Sequence, residues 1–136
     1  MERILVIEDE VVIRRALSKL LQRKGYAVFE AGSVAEGEEN HSLDSFHLII
    51  ADLRLPGGLG TEVIGRCGET PVLIMTSYAS ISSAVDSMKA GAADYIAKPF
   101  NHDEILIVTE RLIRQNVIFR QNRILKREIK QTYPVS

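Results

Sequence analysis

Six side chains with chemical potential each follow a short apolar run. Glu8 and Asp9 come after Ile4–Ile7, and Asp52 comes after Leu48–Ala51. Thr76 and Ser77 come after Val72–Met75, and Lys98 comes after Tyr95–Ala97 and precedes Pro99. Taken singly, each reads as an ordinary solvated loop residue. Taken together, three carboxylates, two hydroxyls and one ammonium read as one site, provided the apolar runs lie side by side. Clustered carboxylates raise one another's pKa unless a cation compensates. Oxygen ligands with room for waters suit Mg²⁺. A carboxylate beside such a cation can attack phosphorus and form an acyl phosphate. The metal offsets charge crowding, a lysine stabilises the moving phosphoryl group, and a hydroxyl hydrogen-bonds the product.

The runs must therefore be placed. With Ala27–Phe29 there are five, and their near-continuous apolar character suits strands buried on both faces, as in a parallel sheet. Between them the spacing turns helical. Ile13, Ala16, Leu17, Leu20 and Leu21 form one helix face, with Gly25 at the left-handed C-terminal position. Ser33 to Glu36 predicts the start of a second helix, and Thr61–Arg66 a short third. Ser82–Ala90 predicts a fourth, with Ala84, Val85 and Met88 on one side. Asn101 to Glu104 opens a fifth, in which no Gly or Pro appears before Pro134, so it can run about 28 residues. Strand–helix alternation with right-handed crossovers predicts an α/β fold. Its form is flavodoxin-like and doubly wound, a five-stranded parallel sheet of order 2-1-3-4-5 with five helices, the last extended. That order makes strands 1 and 3 neighbours and puts Glu8, Asp9 and Asp52 close together at the carboxyl edge.

The chain has 136 residues, enough for one domain with a sizeable core. No apolar run approaches the roughly 18 residues of a membrane span, and Met1–Glu8 lacks a signal-peptide layout, so a cytoplasmic protein is expected. The single cysteine, Cys67, excludes an internal disulfide framework and reads as a small residue near a helix end. With no Trp and few aromatics, a stacking surface for single-stranded nucleic acid is not expected. The net charge of −1 hides a division. Residues 1–110 hold 10 Lys/Arg and 17 Asp/Glu, net −7, and residues 111–136 hold 7 and 1, net +6.

Ile4 to Glu10, Ile49 to Gly57, Ile74 to Ser77 and Lys98-Pro99-Phe100 together resemble the receiver domain of bacterial two-component response regulators. The resemblance covers about residues 2–120. It implies a phospho-acceptor that assists its own phosphorylation and dephosphorylation, rather than an enzyme acting on a separate substrate. It makes Asp52 the acceptor, a sensor histidine kinase the partner and Mg²⁺ the cofactor. Asp9, Asp52 and the backbone carbonyl of Arg54 would ligate the metal, with Glu8 acting through a bound water. Thr76 and Lys98 would each bond a phosphoryl oxygen. Lys98-Pro99 would be a cis peptide, and Tyr95 the aromatic that turns inward when Thr76 moves. Arg54 either shields the acyl phosphate or steadies the attacking water. The sequence departs from the family at Leu59, where an acid is common, and in a shortened Thr61–Pro71 segment.

After Glu110 the chain is basic. Ile118, Asn122, Leu125 and Ile129 fall at 4, 3, 4 spacing, a coiled-coil seam in which Asn122 can set register. A solvated helix, a parallel dimer linker and a nucleic-acid contact compete, and direct nucleic-acid binding by this domain is the least expected. Gln121 to Glu128 and Ala90 to Tyr95 also resemble sigma-54-dependent activators, which implies downstream ATPase and DNA-binding domains. No Walker A loop occurs in these 136 residues. The expected division is a receiver over 1–117 and a helical linker over 118–136. The expected function is a phosphorylation switch acting on the fourth helix, fifth strand, fifth helix and a homodimer. The alternative is a stand-alone phosphotransfer shuttle. A Mg²⁺-dependent phosphohydrolase is disfavoured, because Asp52-Leu53-Arg54 lacks a second acid.

Overall fold

A computed structural model describes the backbone of residues 1–132; the side chains of Phe119, Arg120 and residues from Asn122 onward lie outside the described set. Strands β1 (Arg3–Ile7), β2 (Ala27–Ala31), β3 (Leu48–Asp52), β4 (Val72–Thr76) and β5 (Asp94–Ala97) form one parallel sheet of order β2-β1-β3-β4-β5, as expected. The helices are α1 (Val11–Arg23), α2 (Val34–Asn40), α3 (Ile81–Lys89) and α4 (His102–Thr132), with a 3-10 helix at Gly60–Arg66 in the place of the predicted third. The predicted fourth and fifth helices are thus α3 and α4.

The apolar runs are continuous because alternate residues enter two cores. On one side Leu5, Ile7, Ile49 and Ile74 pack with Phe46 and Val63; on the other Ile4, Val6, Ile50 and Leu73 pack with Leu17, Leu21 and Ile105. Truncating such a fully buried Leu or Ile to Ala costs about 2–5 kcal/mol. The register then aligns the chemistry. Ile7 pairs with Ala51, Asp52 with Met75 and Thr76 with Ala97, so Glu8, Asp52, Thr76 and Lys98 emerge at one edge.

Gly25 adopts φ +94° after α1, where a side chain would be strained. At the start of α4, Asn101 Oδ1 accepts from the Glu104 N–H at 2.6 Å. The apolar stripe of α3 is not part of the core. Val85 and Met88 face solvent with Ile81, and the residue α3 buries is Ser87. Periodicity marks an apolar stripe without saying that the body covers it. On α4, Leu112 and Ile113 are buried, Val117 is 36% exposed, and Asn116 takes the last buried position among the described residues. The seam beginning at Ile118 lies on helical backbone, but its members Asn122, Leu125 and Ile129 fall outside the described side chains. Among the described residues no helix is long and apolar enough to cross a membrane.

Candidate functional site

The loops leaving β1, β3 and β5 bring three charges into contact. Lys98 Nζ donates to Glu8 Oε2 at 3.0 Å and to Asp52 Oδ2 at 3.1 Å. Glu8 is fully buried, and the side chains of Lys98 and Asp52 are about nine-tenths buried. The second Glu8 oxygen accepts from the Glu10 N–H at 3.3 Å, and Asp52 Oδ1 accepts from the Arg54 N–H at 3.4 Å. Asp9 is exposed at the rim, yet carboxylate oxygens of Glu8, Asp9 and Asp52 all lie within 4.8 Å of one another. The Lys98–Pro99 bond is cis.

One ammonium faces three acids. Burial, and then the neighbouring Asp52, push the Glu8 carboxyl up to about 7, with Lys98 acting against them. Burial alone would lower the Lys98 pKa, but hydrogen bonds to Glu8 and Asp52 more than offset it and the ammonium is held above its ordinary value. A divalent cation fits this donor set. It relieves the charge that Lys98 cannot balance, and hard oxygen ligands on an open rim are those Mg²⁺ prefers.

Thr76 is fully buried, and its Oγ1 accepts from the Tyr78 N–H at 3.0 Å, which leaves its own O–H as a donor. Tyr95 is half-buried, with its hydroxyl 2.6 Å from Ser83 Oγ at the start of α3. The Arg54 guanidinium stacks over the Tyr78 ring at 4.6 Å rather than standing free in solvent.

Three contributors escaped the sequence reading. Ser83 holds Tyr95; its only sequence signal is the Ser80–Ser83 capping pair, which the structure forms. Tyr78 holds Arg54, and nothing in the spacing announces it. Gly60 lies under the acceptor loop, where a Cβ would stand 2.0 Å from the Asp52 carbonyl oxygen while its own N–H bonds Leu53 O at 2.8 Å. Gly60→Ala is therefore expected to destabilise the protein by about 2–4 kcal/mol and to slow phosphorylation by displacing Asp52. Urea unfolding and acetyl phosphate labelling check both, and wild-type values in each would reject this role.

A doubly wound sheet with buried acids at its switch point and a lysine across from them defines a phospho-accepting signalling domain. The chain belongs to the response regulator receiver domain family, whose sequence model matches residues 4–110. Such domains act in two-component systems with histidine kinases. The acid tolerance regulatory protein ActR of Rhizobium meliloti is 37% identical over 107 residues, 76% of this chain and 55% of the relative. The alginate biosynthesis transcriptional regulatory protein AlgB of Pseudomonas putida is 33% identical over 133 residues, 95% of this chain and 30% of the relative. The solution structure of the beryllofluoride-activated NtrC4 receiver domain dimer is 28% identical with a TM-score of 0.78, covering 85% of this chain and 99% of that one. The chain thus spans about half the length of ActR and less than a third of AlgB.

Proposed function

We propose that Asp52 accepts a phosphoryl group from a sensor histidine kinase in the cytoplasm and that this switches the α3–β5–α4 face and the dimer state to control transcription. The observation that carries the reading is the placement of Lys98 Nζ on both Glu8 and Asp52. An Asp52 oxygen attacks phosphorus, the P–N bond to the kinase histidine breaks, and the electron pair leaves with the imidazole. Lys98, already bonded to Asp52, follows the phosphoryl oxygens and stabilises their charge. The Thr76 O–H donates to another. Mg²⁺, held by Asp9, Asp52, the Arg54 carbonyl and, through water, Glu8, would supply charge compensation between acceptor and phosphoryl oxygens. Arg54, braced on Tyr78, lies two residues from the acceptor and shields the acyl phosphate from water.

Phosphorylation adds about −1.5 to −2 charges. Contacts that Thr76 and Lys98 make only with that group bias a pre-existing equilibrium. As Thr76 moves, Tyr95 turns inward and must leave Ser83, which ties the site to α3. Ile81, Val85 and Met88 on α3 are exposed on that face.

The receiver occupies 1–117 and a linker follows over 118–136, a division supported by Asn116 being the last buried α4 residue among those described. The homodimer forms through α4 and its extension, parallel along the Ile118 seam. The output is of the sigma-54-dependent activator type, with ATPase and DNA-binding domains downstream. Gln121 to Glu128 and Ala90 to Tyr95 support it by resemblance, the AlgB likeness over 133 residues supports a transcriptional output, and the NtrC4 likeness supports a dimer. Beryllofluoride with Mg²⁺ is expected to change the molar mass in solution, measured by light scattering. A monomer with and without it, at high concentration, rejects dimer control and favours the stand-alone shuttle.

A further inference from the structure

The short turn that carries Glu8, Asp9 and Glu10 from β1 into α1 is tied down at both ends. The Glu8 N–H donates to Ala31 O at 3.0 Å, just beyond the last paired residues of β1 and β2. The Glu10 N–H donates to Glu8 Oε1 at 3.3 Å. Two further bonds come from one residue, Arg14 on α1. Its N–H donates to the Glu10 carbonyl at 2.9 Å, and its side-chain Nη1 donates to the Glu8 carbonyl at 2.9 Å. Asp9 is the residue between those two carbonyls. Glu10, at the N-terminal cap of α1, makes no capping side-chain bond. The turn is thus anchored by Arg14 rather than by a helix cap.

The guanidinium is itself held. Its Nε donates to Glu30 Oε1 at 3.0 Å, and Glu30 is fixed in the sheet opposite Val6. Gly32 packs close by, where a Cβ would lie 3.5 Å from Nη1. The Arg14 side chain is 17% exposed, whereas the arginines of the other described ion pairs are 48% or more exposed. One rigid fork therefore spans α1, the end of β1 and β2. Its hold on the Glu8 carbonyl reaches further than Glu8. The peptide bond is planar, so that oxygen sets the plane containing the Asp9 nitrogen and Cα. From this base an Asp9 oxygen comes within 4.8 Å of oxygens of Glu8 and Asp52.

We propose that Arg14, braced by Glu30, is a positioning residue for divalent cation binding, holding the Glu8–Asp9 peptide so that Asp9 meets the cation beside Asp52. The site then extends to two residues that touch neither metal nor phosphoryl group, an extension that rests on the phospho-accepting reading of Asp52. Mg²⁺ demands near-ideal octahedral geometry at short distances, so a small displacement of one ligand is felt. Plain electrostatics predicts the opposite effect. A guanidinium near a cation site repels the cation, so by charge alone the loss of Arg14 strengthens binding. By position, its loss weakens binding.

Mg²⁺ titration of the unphosphorylated full chain, followed by amide NMR shifts, reads that difference without any activity. Arg14→Gln is expected to weaken Mg²⁺ binding about tenfold or more, the usual cost of losing a group that orients a metal ligand. Arg15→Gln removes the same charge from the exposed neighbouring position and is expected to leave the affinity within about twofold or to tighten it. Glu30→Ala frees the guanidinium and is expected to weaken binding about threefold or more, whereas Glu30→Gln, whose amide oxygen still accepts from Nε, stays within about twofold of wild type. In acetyl phosphate labelling of Arg14→Gln, the Mg²⁺ concentration for half-maximal rate rises in step, while the rate at saturating Mg²⁺ falls by less than about threefold, which a misfolded chain would not show. Arg14→Gln at or above wild-type affinity overturns the proposal, as does a Glu30→Ala chain that binds no more weakly than Glu30→Gln. If Arg14→Gln does not fold, the Glu30 pair decides alone. A wild type that binds Mg²⁺ without being labelled rejects the Asp52 reading and leaves the Arg14 result standing; a wild type that binds no Mg²⁺ rejects both.

Discussion

Asp52→Asn is expected to abolish labelling by acetyl phosphate and Mg²⁺, with a fall of at least about 100-fold, because a neutral amide oxygen is a poor nucleophile. The neighbouring acids cannot take over. Glu8 is fully buried, bonded to Lys98, and shifted toward its protonated form. Asp9 is exposed at the rim, without the lysine contact that Asp52 has. The substitution is nearly isosteric and removes one negative charge from beside Glu8, so folding should be retained or slightly strengthened. Labelling at wild-type stoichiometry, measured by phosphate-affinity electrophoresis on protein whose unfolding midpoint is at least wild type, would sink the assignment.

The second large effect is on stability. Glu8 ordinarily titrates near 4.5 and is raised to about 7 in the folded protein. Between those values the folded state binds more protons than the unfolded state, so stability falls as pH rises. The full window corresponds to at most about 3 kcal/mol. In EDTA the protein is expected to be more stable at pH 5.5 than at 7.5, and Mg²⁺ to recover much of the loss at 7.5 by compensating the ionised acids. Lys98 does not obscure this, since its ordinary pKa is 10.5 and the shift is upward. Glu8→Gln should flatten the profile. Urea unfolding at the two pH values checks it; equal stability in EDTA, or no response to Mg²⁺, would reject the charge-crowding account.

The sheet and the edge residues were legible because burial on both faces leaves a simple trace. Ile4–Ile7 and Leu48–Ala51 read as strands without ambiguity, and the residue after each run had to emerge at the same edge. What stayed hidden depends on pairs from separate elements. Ser83 with Tyr95 and Arg54 with Tyr78 are distances that only packing decides. Nothing in the sequence around Gly60 announces it, since its closeness to the Asp52 carbonyl exists only once the 3-10 helix folds under the loop. The outward stripe of Val85 and Met88 shows the limit from the other side, since amphipathic spacing cannot distinguish a face packed inward from one left for a partner.

The continuity of α4 has a mechanical consequence. Its 31 residues form one continuous helix that starts just after β5. At 1.5 Å per residue the rod is about 46 Å long, so a tilt of about 5° at its first turn carries Thr132 about 4 Å. A small tilt at its first turn would therefore be enlarged at its far end by leverage alone. A downstream domain of the kind proposed above would be addressed by angle as well as by affinity.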